Sequence, residues 1–156
     1  MMFLVKNIND ININNIFKTD KIKNTIIDNS DFIKLIYSEE YSIQKGIIGF
    51  FKIVISQNLS YKNKVNINFD SNNEIINKII NIENEILNKF SYIGEPKFVI
   101  QEQLKSKFII LYNQNKSLYN DNSNKNIHNI IIKISGIWVN KNNYGLTYKF
   151  LEVNFI

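Results

Sequence analysis

Short runs of β-branched and aromatic residues alternate with polar residues through the middle of the chain. DFIKLIYS (31–38) and GFFKIVIS (49–56) are two such runs, and each is bounded by residues that favour turns. KVNINFD (64–70) alternates polar and apolar residues at every step. A period of two places the apolar side chains on one face of a strand. The pattern therefore predicts three strands, of which the third, 64–70, is half-buried.

The period changes after residue 70. Between Ser71 and Phe90, apolar residues recur every three or four positions, which is the spacing of a helix with one buried face. Ser71 and Glu74 also have the spacing of a capping box. This segment is predicted to be an amphipathic helix.

Four other segments give weaker signals. Residues 1–30 mix single apolar residues with Asn, Asp and Lys in no sustained period, and we interpret them as a peripheral N-terminal arm of unassigned conformation. Gly-Glu-Pro at 94–96 predicts a turn. The pattern over 97–112 fits either a short helix or a strand, and the polar stretch 113–126 predicts a long loop.

Two long apolar segments, 129–139 and 144–153, flank the turn-forming sequence VNKNNYG and predict a C-terminal β-hairpin. Several strands, one inserted helix and a hairpin together suit a small antiparallel barrel with a helix over one opening. The predicted fold class is mainly β with one principal helix (α+β). We expect residues 31–156 to form a single domain, an oligonucleotide-binding (OB)-like barrel with an inserted amphipathic helix.

Side-chain parity separates an inner from an outer face in these strands. The inner set is expected to be Phe51, Ile53, Ile55, Ile132, Ile134, Trp138, Leu146, Tyr148 and Phe150. Each of four strands then carries one central lysine on its outer face. These four residues are Lys34, Lys52, Lys133 and Lys149.

A row of lysines beside aromatic rings is the chemistry that holds single-stranded nucleic acid, because ammonium groups neutralise phosphates and rings stack on bases. Phe50 and Tyr144 are candidate stacking residues, with Tyr37 and Tyr41 also available, and Lys141 lies in the predicted hairpin turn. A structural interpretation stays open. A lysine in an exposed strand commonly protects a sheet edge, and an aromatic residue commonly packs across strands.

Composition narrows the class of protein. The net charge is +5 and all nineteen basic residues are Lys, which favours an anionic partner. The absence of Cys fits a reducing compartment, and the N-terminus lacks a signal-peptide pattern, so we expect an intracellular protein. The longest apolar runs are far shorter than the roughly 18 residues of a membrane span, so no membrane association is expected.

Catalytic chemistry finds little support in the sequence. His128 is the only histidine and is interpreted as a solvated loop residue. The carboxylates show no convergent acid–base spacing and the five glycines are scattered. We expect no catalytic residues, no metal site and no cofactor, and hence a non-enzyme.

Three segments carry a resemblance to a known family. FIKLIYSEEYSIQ is similar to the first strand pair, ENEILNKF to the mid-barrel helix, and SGIWVNKNNYGLTYKF to the closing hairpin of the OB-fold single-stranded DNA-binding proteins of nucleocytoplasmic large DNA viruses, which are related to those of some tailed phages. The resemblance covers residues 31–153. It implies a viral protein with a non-catalytic role in DNA replication, recombination or repair, located in the host cytoplasm or at a viral replication site.

The sequence thus predicts sequence-tolerant binding of single-stranded DNA through Lys34, Phe50, Lys52, Lys133, Lys141, Tyr144 and Lys149. RNA, replication proteins and a second copy of the chain are further possible partners. The alternative is a viral protein-interaction or structural β-barrel module that binds no nucleic acid. The sequence leaves open the oligomeric state and any preference between DNA and RNA.

Overall fold

The molecule is mainly β with two α-helices in a computed structural model that describes residues 5–55, 64–112 and 127–153. The predicted α+β class is confirmed at this level, and the predicted loop at 113–126 lies outside the described residues. The strands are β1 Lys6–Asn7, β2 Ile16–Lys23, β3 Asp31–Glu39, β4 Ser42–Lys45, β5 Ile47–Val54, β6 Lys64–Asn66, β7 Glu95–Lys97, β8 Phe108–Ile110, β9 Ile127–Val139 and β10 Asn143–Glu152; the helices are α1 Asn73–Lys89 and α2 Val99–Lys105.

Strand β9 is the centre of the larger sheet, which has eight strands. One edge of β9 pairs antiparallel with β5 along its first half and with β3 along its second half, and its other edge pairs antiparallel with β10. The short strands β1 and β7 add parallel pairs to β5 and β10. The predicted C-terminal hairpin is confirmed, with its turn between Val139 and Asn143.

Strands β6 and β8 form a second sheet of two strands. Isolated bridges join this small sheet to the larger one, from Ile55 to Ile67 on one side and from Leu111 to Phe150 on the other. Among the described residues, continuous strand ladders do not close the sheets into a barrel. Closure into an OB-like barrel therefore stays a prediction.

The N-terminal segment packs against the main body, which differs from the peripheral position predicted for it. Ile8, Ile11 and Ile16 are buried in the core, and β2 pairs with β3 at one side of the large sheet. Burial of these isolated isoleucines comes from two 3-10 turns, Ile8–Asp10 and Ile13–Asn15, whose short lengths leave no periodic signal in the sequence.

Helix α1 confirms the predicted amphipathic helix, with Ile76, Ile79 and Ile86 among its buried residues. The predicted capping box is wrong, because α1 starts at Asn73 and its N-cap residue is Asn72. The Asn72 side chain forms hydrogen bonds with the backbone of β5 and does not cap the helix. Its amide accepts from Val54 N at 2.7 Å and donates to Val54 O at 2.7 Å, which ties the start of α1 to the end of β5.

The segment after α1 also differs from its prediction. Glu95–Lys97 is not only a turn but forms β7, where Pro96 is tolerated because an edge strand does not require every backbone N–H to pair. The ambiguous stretch that follows contains both alternatives, since α2 spans Val99–Lys105 and β8 spans Phe108–Ile110.

A bulge in β9 reverses the parity expected for Trp138. The register between β9 and β10 shifts between Thr147 and Tyr148, so that Ser135 is an extra residue of β9 in this pairing. The buried residues of β9 are therefore the even-numbered Ile132 and Ile134 before the bulge and the odd-numbered Ile137 and Val139 after it. Trp138 consequently lies half-buried on the outer face and not in the core. In the described part of the chain, neither helix has the length and hydropathy needed to cross a bilayer.

Candidate nucleic-acid interface

The four predicted strand lysines lie on one face of the large sheet, here called the outer face. It consists of the outward-directed positions of β3, β5, β9 and β10. Lys133 pairs across the strands with Lys149, which places both side chains on the same face. Lys34 of β3 pairs with Gly136 of β9, and Lys52 of β5 points to the same side of the sheet as Lys133. Lys34 and Lys52 are exposed, while Lys133 and Lys149 are half-buried.

The outer face carries charge of a single sign. Its paired positions in these four strands, as far as the structure describes them, include the four lysines and no Asp or Glu. Asp31 belongs to β3 but pairs with the inward-facing Val139. Four ammonium groups with no carboxylate among the described paired positions of these four strands favour a positive potential that attracts polyanions.

An apolar row crosses the outer face between its lysines. Phe50 pairs with Ile131, and Ile131 pairs with Leu151, so the three side chains lie side by side on β5, β9 and β10. All three are half-buried. Lys133 and Lys149 lie on one side of this row and Lys52 on the other. The arrangement places an aromatic ring among cationic groups, as predicted for Phe50.

Two further rings lie on this face because glycines make room for them. A Cβ on Gly136 would come within 2.5 Å of the Phe32 ring, and a Cβ on Gly145 within 2.8 Å of the Trp138 ring. Phe32 and Trp138 are themselves paired across β3 and β9. Parity did not identify Trp138, but the alternation of a bulky aromatic with a cross-strand glycine is a signal that could have done so.

A groove of about 450 Å³ runs between the outer face and the segment that follows β2, and we call it the face groove. Lys34 and Lys149 lie on its walls with Lys23, and Phe32 and Thr147 line it as well. Exposed Ile26 and half-exposed Ile27 form the opposite wall. The groove therefore combines cationic and apolar groups in a concave surface.

Tyr112 extends the cationic and aromatic surface beside β10. Its backbone N–H donates to Phe150 O at 2.8 Å, and its side chain is 69% exposed. Lys149 Nζ lies 4.0 Å from the centroid of the Tyr112 ring, a cation–π distance. Sequence reasoning did not select Tyr112, because the residue follows a strand of only three residues.

Lys141 lies apart from the outer face. It lines a second cavity of about 620 Å³, here called the end pocket, together with Lys21 and Lys23. Lys23 lines both cavities. Lys141 is thus separate from the four strand lysines, and Lys23, which was not among the predicted residues, lies between the two cavities.

Two of the predicted stacking residues are buried, so the predictions for them are wrong. Tyr144 is 5% exposed and packs edge to face against Tyr92, with 5.8 Å between ring centroids. Tyr37 is 2% exposed in the core. Both residues occupy inward-facing positions of their strands, which leaves their rings unable to reach a ligand on the outer face. Tyr41, in contrast, is 92% exposed.

Away from the outer face, the titratable side chains His128 and Tyr148 each contact one other polar side chain. His128 is not in a loop but in β9, where its Nδ1 lies 2.9 Å from Glu152 Oε1. Burial raises the pKa of Tyr148 to about 12, and its hydroxyl donates to Gln103 Oε1 at 2.5 Å. Within the described ranges, no group of three or more His, Cys, Asp or Glu residues could hold a metal ion.

No protein-family model, curated protein sequence or solved structure matches this chain. The family resemblance of the three segments accordingly stays a prediction.

Proposed function

We propose that this protein binds single-stranded DNA without strong sequence preference and takes part in replication, recombination or repair without catalysis. The observation that carries the proposal is the outer face, where four lysines and the half-buried rings of Phe32, Phe50 and Trp138 occur without an acidic residue among the described paired positions.

This chemistry suits a single strand better than a duplex. Lysines contact phosphates, whereas stacking on a ring requires a base that is not already stacked and paired. Lysine acts as a point charge and lacks the planar fork with which arginine recognises base edges in the major groove. Because every basic residue of this chain is Lys, binding is expected to be sequence-tolerant and strongly dependent on salt.

An OB-like barrel is the fold that we propose for this binding surface. The two isolated bridges support it, since they complete a circuit that passes from β5 through β9, β10, β8 and β6 and returns to β5. A five-stranded, partly open barrel is the OB architecture. Helix α1, which follows β6 in the chain, corresponds to the predicted inserted helix.

Fluorescence anisotropy with a labelled mixed-sequence DNA of about 20 nucleotides tests the proposal. Affinity should fall steeply as salt rises from about 50 to 200 mM. The double variant Lys34→Ala/Lys149→Ala should bind about tenfold more weakly and show a shallower salt dependence.

The matched control is Lys78→Ala/Lys105→Ala, which removes the same charge from the helices α1 and α2, away from the outer face. Its affinity should stay within about twofold of the wild type. Absence of binding at low salt, or equal losses in the two double variants, would overturn the proposal. The same titration with RNA of identical sequence measures any preference between the two nucleic acids.

A protein-interaction module is the second candidate, and exposed apolar residues favour it. Phe17, Ile22 and Ile26 are 52%, 48% and 87% exposed along β2 and the turn after it. Clustered apolar exposure commonly marks a contact with another protein. A pull-down with the tagged chain should then recover a partner that survives nuclease treatment, whereas a partner lost with nuclease would indicate a nucleic-acid bridge.

A further inference from the structure

The end pocket is a second cationic site, and four parts of the fold build it, one of them the start of β3 with the residues just before it. Strand β2 contributes Lys21 and Lys23, the β9–β10 turn contributes Lys141, and the segment between α1 and β7 contributes Tyr92 and Ile93. The cavity of about 620 Å³ is large enough for a ligand the size of a nucleotide.

Cations outnumber anions in this pocket. Its lining residues include three lysines and a single carboxylate, that of Asp31. Lys21 Nζ lies 3.5 Å from Asp31 Oδ2, and both side chains are about half exposed, so solvent weakens the attraction between them. Three positive charges and one negative charge leave a net charge of +2, which favours a ligand with a compact double negative charge.

The walls of the pocket are fixed before any ligand arrives. Glu95 N donates to Asn142 O at 2.9 Å, which fastens the segment after α1 to the hairpin turn. Asn140 Oδ1 accepts from Asn142 N at 2.9 Å and from Asn143 N at 2.7 Å. On the opposite wall, the buried Ser30 hydroxyl donates to Ile27 O at 2.7 Å. Preorganised walls lower the entropy that a ligand loses on binding.

The pocket also adjoins the face groove. Lys23 lines both the end pocket and the face groove, where it accompanies Lys34 and Lys149. An anion bound in one of these cavities therefore lies next to lysines of the other. Tyr92 and exposed Ile93 offer an apolar surface beside those lysines, against which a base or sugar can pack.

We propose that the end pocket binds a terminal phosphate group through Lys21, Lys23 and Lys141. The phosphate belongs either to the end of a bound DNA strand, a source that rests on the proposed function, or to a free mononucleotide. A terminal phosphate carries more negative charge than the diester phosphates within a strand, so the net charge of the pocket favours the strand end.

Two measurements test this inference with separate ligands. The first compares, by anisotropy, DNA strands of one sequence that carry a 5′-phosphate, a 3′-phosphate or neither. The second follows backbone amide shifts of the protein by NMR while inorganic phosphate or adenosine monophosphate is added. The test variant is Lys21→Ala/Lys141→Ala, which leaves the shared Lys23 in place, and Lys78→Ala/Lys105→Ala is the charge-matched control.

For the wild type and the control, a terminal phosphate should tighten DNA binding by about threefold to tenfold. In the test variant this gain should disappear, so that strands with and without a terminal phosphate bind with about equal affinity. The affinity of each variant for DNA without a terminal phosphate is its own reference, because Lys141 is also a predicted DNA-binding residue. Added phosphate or mononucleotide should shift amides at residues 21–23, 29–31 and 140–142 of the wild type.

The possible outcomes separate the end-pocket proposal from the proposal that the protein binds DNA. DNA binding with no terminal-phosphate preference and no amide shifts would overturn the end pocket alone. Amide shifts at the pocket without DNA binding would support a mononucleotide site and overturn the proposed function. Failure of both measurements would overturn both, and shifts spread evenly over all lysines would overturn a specific pocket.

Discussion

At the scale of single residues, two glycines decide which aromatic rings reach the outer face. Gly136 and Gly145 leave flat areas of backbone on which the Phe32 and Trp138 rings lie. Neither residue has a positive backbone φ, so the need for glycine comes from the close approach of the ring and not from the conformation of the chain. The same close contact makes the platform sensitive to a single methyl group.

We predict that Gly136→Ala destabilises the protein by about 1–3 kcal/mol, because the new methyl group would overlap both the Ile33 carbonyl oxygen in the paired strand and the Phe32 ring. Urea denaturation followed by Trp fluorescence measures the change, since Trp138 is the only Trp in the chain. Ser135→Ala at the neighbouring bulge position is the control. Equal stabilities of Gly136→Ala and the wild type would contradict the prediction and show that both the Phe32 ring and the β3 backbone at Ile33 shift at little cost.

Individual side chains could be predicted from the sequence only as far as strict alternation held. Lys34, Lys52, Lys133 and Lys149 were assigned to the outer face correctly, because each lies in an unbroken run of its strand. Trp138 was assigned to the wrong face, since one bulge residue reverses every later position.

At the scale of elements, α1 stabilises the short helix α2. Glu83 is fully buried in α1, and its carboxylate accepts from Ile100 N at 3.0 Å and from Gln101 N at 2.8 Å. These N–H groups belong to the first turn of α2 and have no partner within the helix. A residue of one helix thus caps the next helix, while burial raises the pKa of Glu83 despite the two hydrogen bonds.

The raised pKa predicts how stability depends on pH. The folded state holds the Glu83 proton more tightly than the unfolded state, so between the ordinary value near 4.5 and the raised folded value the free energy of unfolding falls as pH rises. In Glu83→Gln this dependence should be absent. The stability of the wild type relative to Glu83→Gln should therefore decrease as pH rises from about 4 to 7.

Urea denaturation at several pH values measures this difference, with Glu85→Gln as the control on the exposed face of the same helix. An increase of the relative stability with pH would contradict the prediction and indicate that the two hydrogen bonds outweigh burial.

Elements with internal periodicity could be predicted from the sequence, and elements that depend on neighbours could not. The spacing of apolar residues located α1 and the hairpin strands. Strand β7 forms because Glu95–Lys97 pairs with β10, and α2 is only seven residues long and capped by α1. The local sequence of such short elements carries too little information to select their conformation.

At the scale of the whole molecule, β9 organises the fold. It pairs with three strands and connects the outer face from β3 to β5 and β10. Strand β2, in contrast, pairs only with β3 in the described ranges. The centre of the sheet is therefore expected to open only when the whole domain unfolds, whereas β2 opens locally.

Native-state hydrogen exchange tests this hierarchy. Amides of Ile130–Ile134, which have partner strands on both sides, should exchange with the free energy of global unfolding. Amides of Ile16–Lys23 should exchange at least about tenfold faster. Equal protection of the two strands would contradict the hierarchy and indicate that β2 is an integral part of the cooperative core.

The amino-acid sequence alone suffices to predict the mainly β class, the position of α1 and the hairpin, and it contains the surplus of lysine without arginine. These properties follow from composition and from periods of two and about 3.6 residues, which act within one element. Tertiary contacts were needed to place Ile8, Ile11 and Ile16 in the core, to bury Tyr144 and to bring Lys23 to the lining of both cationic cavities. The physical reason is that periodicity fixes the face of a residue within its element, whereas strand pairing and bulges fix which faces meet.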